Sequence, residues 1–369
     1  MVSPARTTTE GGAASPDNNR RWCCQPGQQQ KMVLPARTTT EGGVTSSDNN
    51  RRWCHQPGQQ QKVVLPARTT TEAPSFTELH IASEAGDLLR VKLILSKGRV
   101  DINRKEWIGR TPVMLAAGEG HTGLVKLLVS EGADMSLEDR FGINILHSAC
   151  IGGDVEMVKY VLSRDMVDID GKVKCGRAPT MLAAENGHRE LVELLVSKGA
   201  HVIYVDDRRD NILHCACRGG HVEVVKYVLS QDKVDINRRG WKKRTPVMEA
   251  ALNGNKEVVE LLVCEGADVS LVGEAHDNIL HCVSKGGVVE VVKYVLSQDM
   301  VDINSRGWQK RTPIMVAALN GHKEVVELLV SEGADVSLVD KAGNNILHWA
   351  SEGGDVEVIN YVRRCCGTK

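Results

Sequence analysis

The chain repeats itself. Prolines stand at Pro112, Pro179, Pro246 and Pro313, a constant step of 67 in the numbering, and Asn144, Asn211, Asn278 and Asn345 keep the same step. Thr111 to Asn144 is a step of 33 and Asn144 to Ala178 one of 34, so each step of 67 holds two alternating versions of one shorter unit. A period of that size belongs to stacked supersecondary units, each too small to bury its own apolar face and each completed by its neighbours. It constrains the fold more than length does. A chain of 369 residues would divide into about two or three globular domains, whereas a solenoid has no single core and grows by addition.

Each unit reads as helix, turn, helix. Thr111, Thr245 and Thr312 stand where a hydroxyl caps the first helix, and the prolines that follow occupy its first turn, where a missing N–H is no loss. Asn144, Asn211, Asn278 and Asn345 cap in the alternate units; Ala178 cannot, so the fourth unit is expected to be weaker by about 1 kcal/mol. Alanine pairs such as Ala116 and Ala117 let the next unit approach closely, and the glycine series from Gly120 to Gly354 marks the turn between helices. In EVVELLV and EVVKYVL the apolar residues recur at helical spacing with Glu and Lys outside, an amphipathic second helix. A short segment, such as DINRRGWKKR, then projects as a finger. Helical periodicity begins near Phe76 and supports nine units, at about 77–110, 111–143, 144–177, 178–210, 211–244, 245–277, 278–311, 312–344 and 345–369.

The pattern resembles the ankyrin repeat. The opening of that family, Thr-Pro-Leu-His-x-Ala, is matched by Thr111 to Ala116, its Gly-His turn by Gly187-His188, and its Gly-Ala-Asp-Val-Asn segment by Gly333 to Ser337. The resemblance covers about residues 76 to 362. It implies an all-α solenoid of stacked helix pairs whose inner helices and β-hairpin fingers line a concave surface that binds proteins. It also implies that His80, His147, His214, His281 and His348 make structural hydrogen bonds between neighbouring repeats. Spaced two units apart, they are too distant to share one metal ion. The chain departs from the family by alternation: Thr-Pro units carry Met114, Met248 and Met315 where the family has His, and Asn-Ile-Leu-His units keep the His without Thr-Pro.

Residues 1–75 are a different kind of sequence. Two copies of one segment, each containing PARTTTE and DNNRRWC with Trp22 and Trp53, are followed by a truncated third. Thr, Gln, Gly, Pro and Asn dominate, there is little to bury, and a disordered tail is expected. The formal net charge of -1 supplies no global case for nucleic acid or a membrane. Eleven scattered cysteines without CxxC spacing fit a reducing compartment. No apolar run reaches the roughly 20 residues of a membrane span and there is no signal-peptide core, so an intracellular, cytoplasmic monomer is expected, with the nucleus left open.

Nothing in the sequence carries catalysis: there is no Gly-rich phosphate loop, no GxSxG, no HExxH, and no cofactor or metal is implied. Acidic residues fall at repeat spacing, which reads as solvated helix exteriors and fingers. The fingers are more informative. Those after odd-numbered units are basic: DINRKEWIGR with Trp107 and Arg110, DIDGKVKCGR without Trp, DINRRGWKKR with Arg238, Arg239, Trp241, Lys242 and Lys243, and DINSRGWQKR with Arg306, Trp308 and Lys310. Those after even-numbered units lean acidic or neutral. Trp and Arg are the residues most enriched at binding hot spots, so these ten are the candidate partner-binding residues. A finger Trp serves either to pack on its neighbour or to face a partner. The sequence leaves both open, because Gly240 and Gly307 replace the Asp-x-x-Gly turn seen at 139–142 and 340–343. A non-catalytic scaffold or adaptor for protein partners is the favoured function. The alternative is nucleic-acid or nucleotide binding by the basic Trp fingers, against which the interleaved acidic fingers argue.

Overall fold

A computed structural model describes residues 77–98 and 100–367. The expectation of a disordered tail over residues 1–75, with its Trp22 and Trp53 motifs, lies outside the described residues. Nine helix pairs follow one another: α1 (Glu78–Glu84) with α2 (Leu88–Ser96), α3 (Pro112–Gly118) with α4 (Thr122–Ser130), α5 (Ile145–Gly152) with α6 (Val155–Leu162), α7 (Pro179–Glu185) with α8 (Arg189–Ser197), α9 (Ile212–Gly219) with α10 (Val222–Ser230), α11 (Pro246–Leu252) with α12 (Lys256–Cys264), α13 (Ile279–Gly286) with α14 (Val289–Ser297), α15 (Pro313–Leu319) with α16 (Lys323–Ser331), and α17 (Ile346–Gly353) with α18 (Val356–Gly367). Odd-numbered helices pack on odd-numbered neighbours to form an inner layer, and even-numbered helices from α6 onward form a looser outer one.

Small residues make the inner layer possible. Ala116, Ala117, Ala183, Ala184, Ala250, Ala251, Ala317 and Ala318 are fully buried. At the end of α5 a Cβ on Gly152 would strike the Gly118 carbonyl of α3, and Gly219 meets the Glu185 carbonyl in the same way one double unit later. Any side chain at these positions would force the two backbones apart. Apolar residues at helical spacing on the outer helices, such as Val258, Val259 and Leu262, fill the space beneath, and these three have no exposure.

Histidine fastens each unit's finger to its own inner helix and one unit to the next, and the bonds between units come from a different series than the family pattern implies. Nε2 of His147, His214 and His281 donates to the carbonyls of Gly171, Arg244 and Arg311 at 2.9, 3.2 and 3.1 Å. His121, His188, His221 and His322, just after the turn glycine, reach back to carbonyls of the preceding inner helix or its end at 3.0–3.2 Å.

The Asn caps form: Asn144 Oδ1 accepts from the N–H of Leu146 and His147, and Asn211 and Asn278 accept from His214 and His281. The Thr caps do not all form. Oγ1 of Thr245 and Thr312 is buried without a hydrogen-bond partner among the described residues, and α11 and α15 receive no side-chain cap. In the first unit Thr77 Oγ1 instead meets His80 Nδ1 at 2.8 Å, a partner that Met248 and Met315 remove in the Thr-Pro units. The basis for a weak fourth unit therefore falls away, since Ala178 lacks nothing that Thr245 or Thr312 supplies. We expect Ala178→Thr to leave the melting temperature unchanged or lower it, because a hydroxyl at this fully buried position gains no partner. A rise in the thermal midpoint would restore the capping account.

Candidate partner-binding surface

The fingers contain no β-strand among the described residues; one isolated bridge joins Val205 to Asn211. The hairpins expected from the family pattern are turns laced to one another. The N–H groups of Arg140, Lys174, Asp207, Glu274 and Lys341 donate to the carbonyls of Ile108, Phe141, Cys175, Lys242 and Gln309 in the preceding finger at 2.7–3.0 Å. Long cations add a second lace. Lys105 donates to the Glu138 carbonyl, Arg239 to Val272 and Arg306 to Val339 at 2.6–2.7 Å, three equivalent bonds from matching places in the repeat. Part of the positive charge in the basic fingers thus holds the fingers in line.

The displaced glycine has a local cause. Asp139 and Asp340 fold their own turns by accepting two backbone N–H groups each. Gly240 and Gly307 occupy the matching position, and a carboxylate from the preceding finger enters instead: Asp210 Oδ1 accepts from Trp241 N, and Asp277 Oδ1 from Trp308 N, both at 2.8 Å. A Cβ on either glycine would collide with that carboxylate and with His214 or His281. The turn then places two successive side-chain-bearing residues in the left-handed region, Lys242 and Lys243 at φ 55° and Gln309 and Lys310 at φ 57° and 59°. Non-glycine residues there cost about 1–2 kcal/mol apiece, and the two anchored N–H groups hold them.

Those anchors fix the Trp directions that the sequence left open. Trp241 is half-buried, and the guanidinium of Arg208 from the preceding finger stacks on it at 4.4 Å, with Lys242 at 4.6 Å and Arg244 at 5.6 Å. Trp308 is 50% exposed. The counterpart of Arg208 one double unit later is Ala275, which cannot stack, and Trp308 carries only Arg311 on its ring among the described residues, at 4.4 Å. Trp107 is half-buried, and Arg110 donates from Nε to Glu106 at 3.1 Å. Arg238, Lys242, Lys243 and Lys310 are exposed.

The expectation that acidic residues occupy only exteriors and fingers is corrected at the centre of the inner layer. Here Asp206, Arg177, Glu185, Arg218, Glu249 and Arg244 alternate in sign across units three to six. Arg177 Nη1 meets Glu185 at 2.6 Å and its Nε meets Asp206 at 3.4 Å; Arg218 meets Glu185 at 3.3 Å and Glu249 at 3.4 Å; Arg244 meets Glu249 at 3.3 Å. Arg218 also pairs with Asp210, which is fully buried. Glu249 is 3% exposed at a position where other units have Leu115, Leu182 and Val316. That Glu inside an otherwise apolar helix face was the available sequence signal.

The arginine preceding each Thr-Pro or Ala-Pro recurs as Arg110, Arg177, Arg244 and Arg311. The first three meet a carboxylate. Of their acids, Glu106, Glu185 and Glu249 have Gly307, Leu319 and Val316 as counterparts around Arg311, while Asp206 keeps an acid counterpart in Asp340, which folds its own turn. Among the described residues no hydrogen bond or ion pair reaches its guanidinium, which is stacked between Trp308 and, at 3.5 Å, Trp349. Burial lowers the affinity of the Arg177, Arg244 and Arg311 guanidiniums for their proton. At Arg177 the charge of Glu185 outweighs burial and the pKa rises, whereas at Arg311 burial prevails and it falls.

Cys150, Cys215, Cys217 and Cys282 are buried thiols outside any disulfide, and burial pushes the Cys282 thiol up to about 12. Among the described residues no group of three or more His, Cys, Asp or Glu is placed to hold a metal ion, and no helix is long and apolar enough to cross a membrane.

The family model for ankyrin repeats in three copies matches residues 66–139, 113–206, 180–273, 248–340 and 279–368. The chain belongs to the ankyrin-repeat family. Among curated proteins it is 25% identical to human transient receptor potential cation channel subfamily A member 1, over 73% of this chain and 28% of that one. It is 28% identical to the ankyrin repeat and KH domain-containing protein mask-1 of Caenorhabditis elegans, over 77% of this chain and 11% of that one. It is 31% identical to the palmitoyltransferase AKR1 of Lachancea kluyveri, over 49% of this chain and 25% of that one. The ankyrin-repeat chain thus spans well under a third of the length of each of these relatives. Their names share no single activity.

Proposed function

We propose that this ankyrin stack is a non-catalytic scaffold or adaptor that binds a protein partner across its inner helices and fingers, in an intracellular, reducing compartment. The observation that carries the reading is the half-exposed Trp308, displayed on a turn whose backbone is anchored to the preceding repeat by Asp277. A rigidly held aromatic with an open face is the kind of residue around which binding energy concentrates. The free thiols of Cys150, Cys215, Cys217 and Cys282 fit the reducing compartment.

The nucleic-acid alternative has less to draw on than the composition of the fingers suggests. Arg239 and Arg306 are bonded to neighbouring carbonyls, and Arg208 occupies a face of Trp241 that a base would need. The deciding experiment purifies partners with the full chain and measures one of them against Trp241→Ala, Trp308→Ala. A folded double variant should bind at least ten-fold more weakly, about 1.4 kcal/mol or more. Unchanged affinity removes the fingers from the site. A steep linear fall of affinity with log salt transfers the reading to nucleic acid.

A further inference from the structure

Resting on the scaffold reading, we infer that Arg311, clamped between Trp308 and Trp349, is the docking point for a carboxylate carried by the protein partner. Three observations converge on it. Arg311 is the one member of its series without an ion pair among the described residues: Gly307, Leu319 and Val316 replace the counterparts of Glu106, Glu185 and Glu249, and Asp340, the counterpart of Asp206, accepts the N–H groups of its own turn. Two buried donors at this place, Nε of Arg311 and Nε1 of Trp349, lack acceptors among the described residues and lie out of a ligand's reach, so a docking carboxylate meets the terminal guanidinium N–H groups of Arg311. A buried donor without an acceptor is costly. Trp349 itself stands where the other Asn-Ile-Leu-His units have Ser148, Cys215 and Cys282, so the second aromatic face is particular to this end of the stack.

The chemistry selects the ligand. A guanidinium in contact with two rings has little freedom to reorient, and a carboxylate accepts two parallel bonds from the guanidinium fork. The ligand must be acceptor-only and carry modest charge. Three acids influence Arg311, namely Asp340, Glu352 and Asp277. Asp340 and Asp277 already accept backbone N–H groups and do not pair with it. They nevertheless leave a local negative potential that a dianion would feel twice as strongly as a carboxylate. The exposed half of Trp308 offers the apolar contact beside it. The carboxylate belongs to an Asp or Glu side chain or to a chain terminus, and both present the same group.

The test uses the full chain labelled with nitrogen-15. The Arg Nε–H and Trp Nε1–H signals are followed during titration with N-acetyl-glutamate amide, N-acetyl-leucine with a free carboxylate, N-acetyl-glutamine amide and inorganic phosphate. Trp308→Ala and Arg311→Lys assign the signals. We expect saturable shifts of the Arg311 and Trp308 signals with one or both carboxylates, at a dissociation constant of about a millimolar for fragments of this size. The glutamine compound should be at least ten-fold weaker. Whichever carboxylate binds more tightly identifies the source. Arg311→Gln should abolish the Trp308 shift. No saturable shift in the unaltered chain, equal shifts from the glutamine compound, or stronger binding of phosphate overturns the inference, and none of these outcomes depends on a variant folding. A partner that binds the chain through Trp241 and Trp308 yet is indifferent to Arg311→Gln would leave the scaffold reading standing and remove this one.

Discussion

Replacing Arg218 by Ile, the residue at the matching position 151, is expected to destabilise the stack by about 3–5 kcal/mol in urea titrations. The guanidinium joins Glu185, Asp210 and Glu249, and Asp210 and Glu249 are almost without contact with water. Removing it leaves those carboxylates buried and underpaired, which costs far more than the intact arrangement contributes. The sign of the second step separates this account from one based on lost volume. Adding Glu249→Leu to Arg218→Ile removes one charge of each sign and restores an aliphatic residue that other units carry. The double variant should therefore lose less than the sum of the single losses, with a coupling of at least about 1 kcal/mol. Strict additivity would show that the charges act independently. Because each repeat contacts only its neighbours, the loss should concentrate in units four to six, and amide exchange should rise over α7 to α11 before the outer units respond.

The repeat period made the fold legible because it records backbone needs directly. Proline opening an inner helix, paired alanines between layers and a glycine at each turn have one geometric solution when they recur at this spacing. The same property concealed the distinctive places. Arg311 looks like every other arginine before Thr-Pro until the structure brings Trp349, from the next inner helix, against its guanidinium. Glu249 and Arg218 stand in successive units and read as separate irregularities; only stacking makes them partners. The reading of Thr245 and Thr312 as caps failed for a related reason. Local sequence identifies a residue able to cap, but not whether its hydroxyl turns toward the helix or, as with Thr77, toward a histidine ring. Fingers are least legible of all, since Gly240 is explained by a carboxylate belonging to the preceding finger.

Acid should loosen the stack well above the usual carboxylate range. His147 is buried, and burial, against an opposing influence from the Gly171 carbonyl, lowers its pKa to about 4 from about 6.5. His80, His214, His221 and His281 are lowered as well, burial being the largest cause in each. A histidine lowered in the folded state stays neutral while its unfolded counterpart takes up a proton, so the unfolded chain binds more protons between about pH 6.5 and pH 4. Stability is then complete above pH 6.5 and falls as pH decreases through that window. For His147 alone the fall from pH 7.5 to pH 5 is about 2 kcal/mol. The other four add in the same direction. The urea midpoint should drop steeply over this interval, and His147→Gln should flatten the slope by about one proton even if it lowers the starting value. A midpoint that is level between pH 7.5 and pH 5, or a His147 imidazole that titrates near 6.5 in the folded chain, would show that the buried histidines accept protons in place, with both ring nitrogens of His147 donating to the oxygens of Asn144 and Gly171.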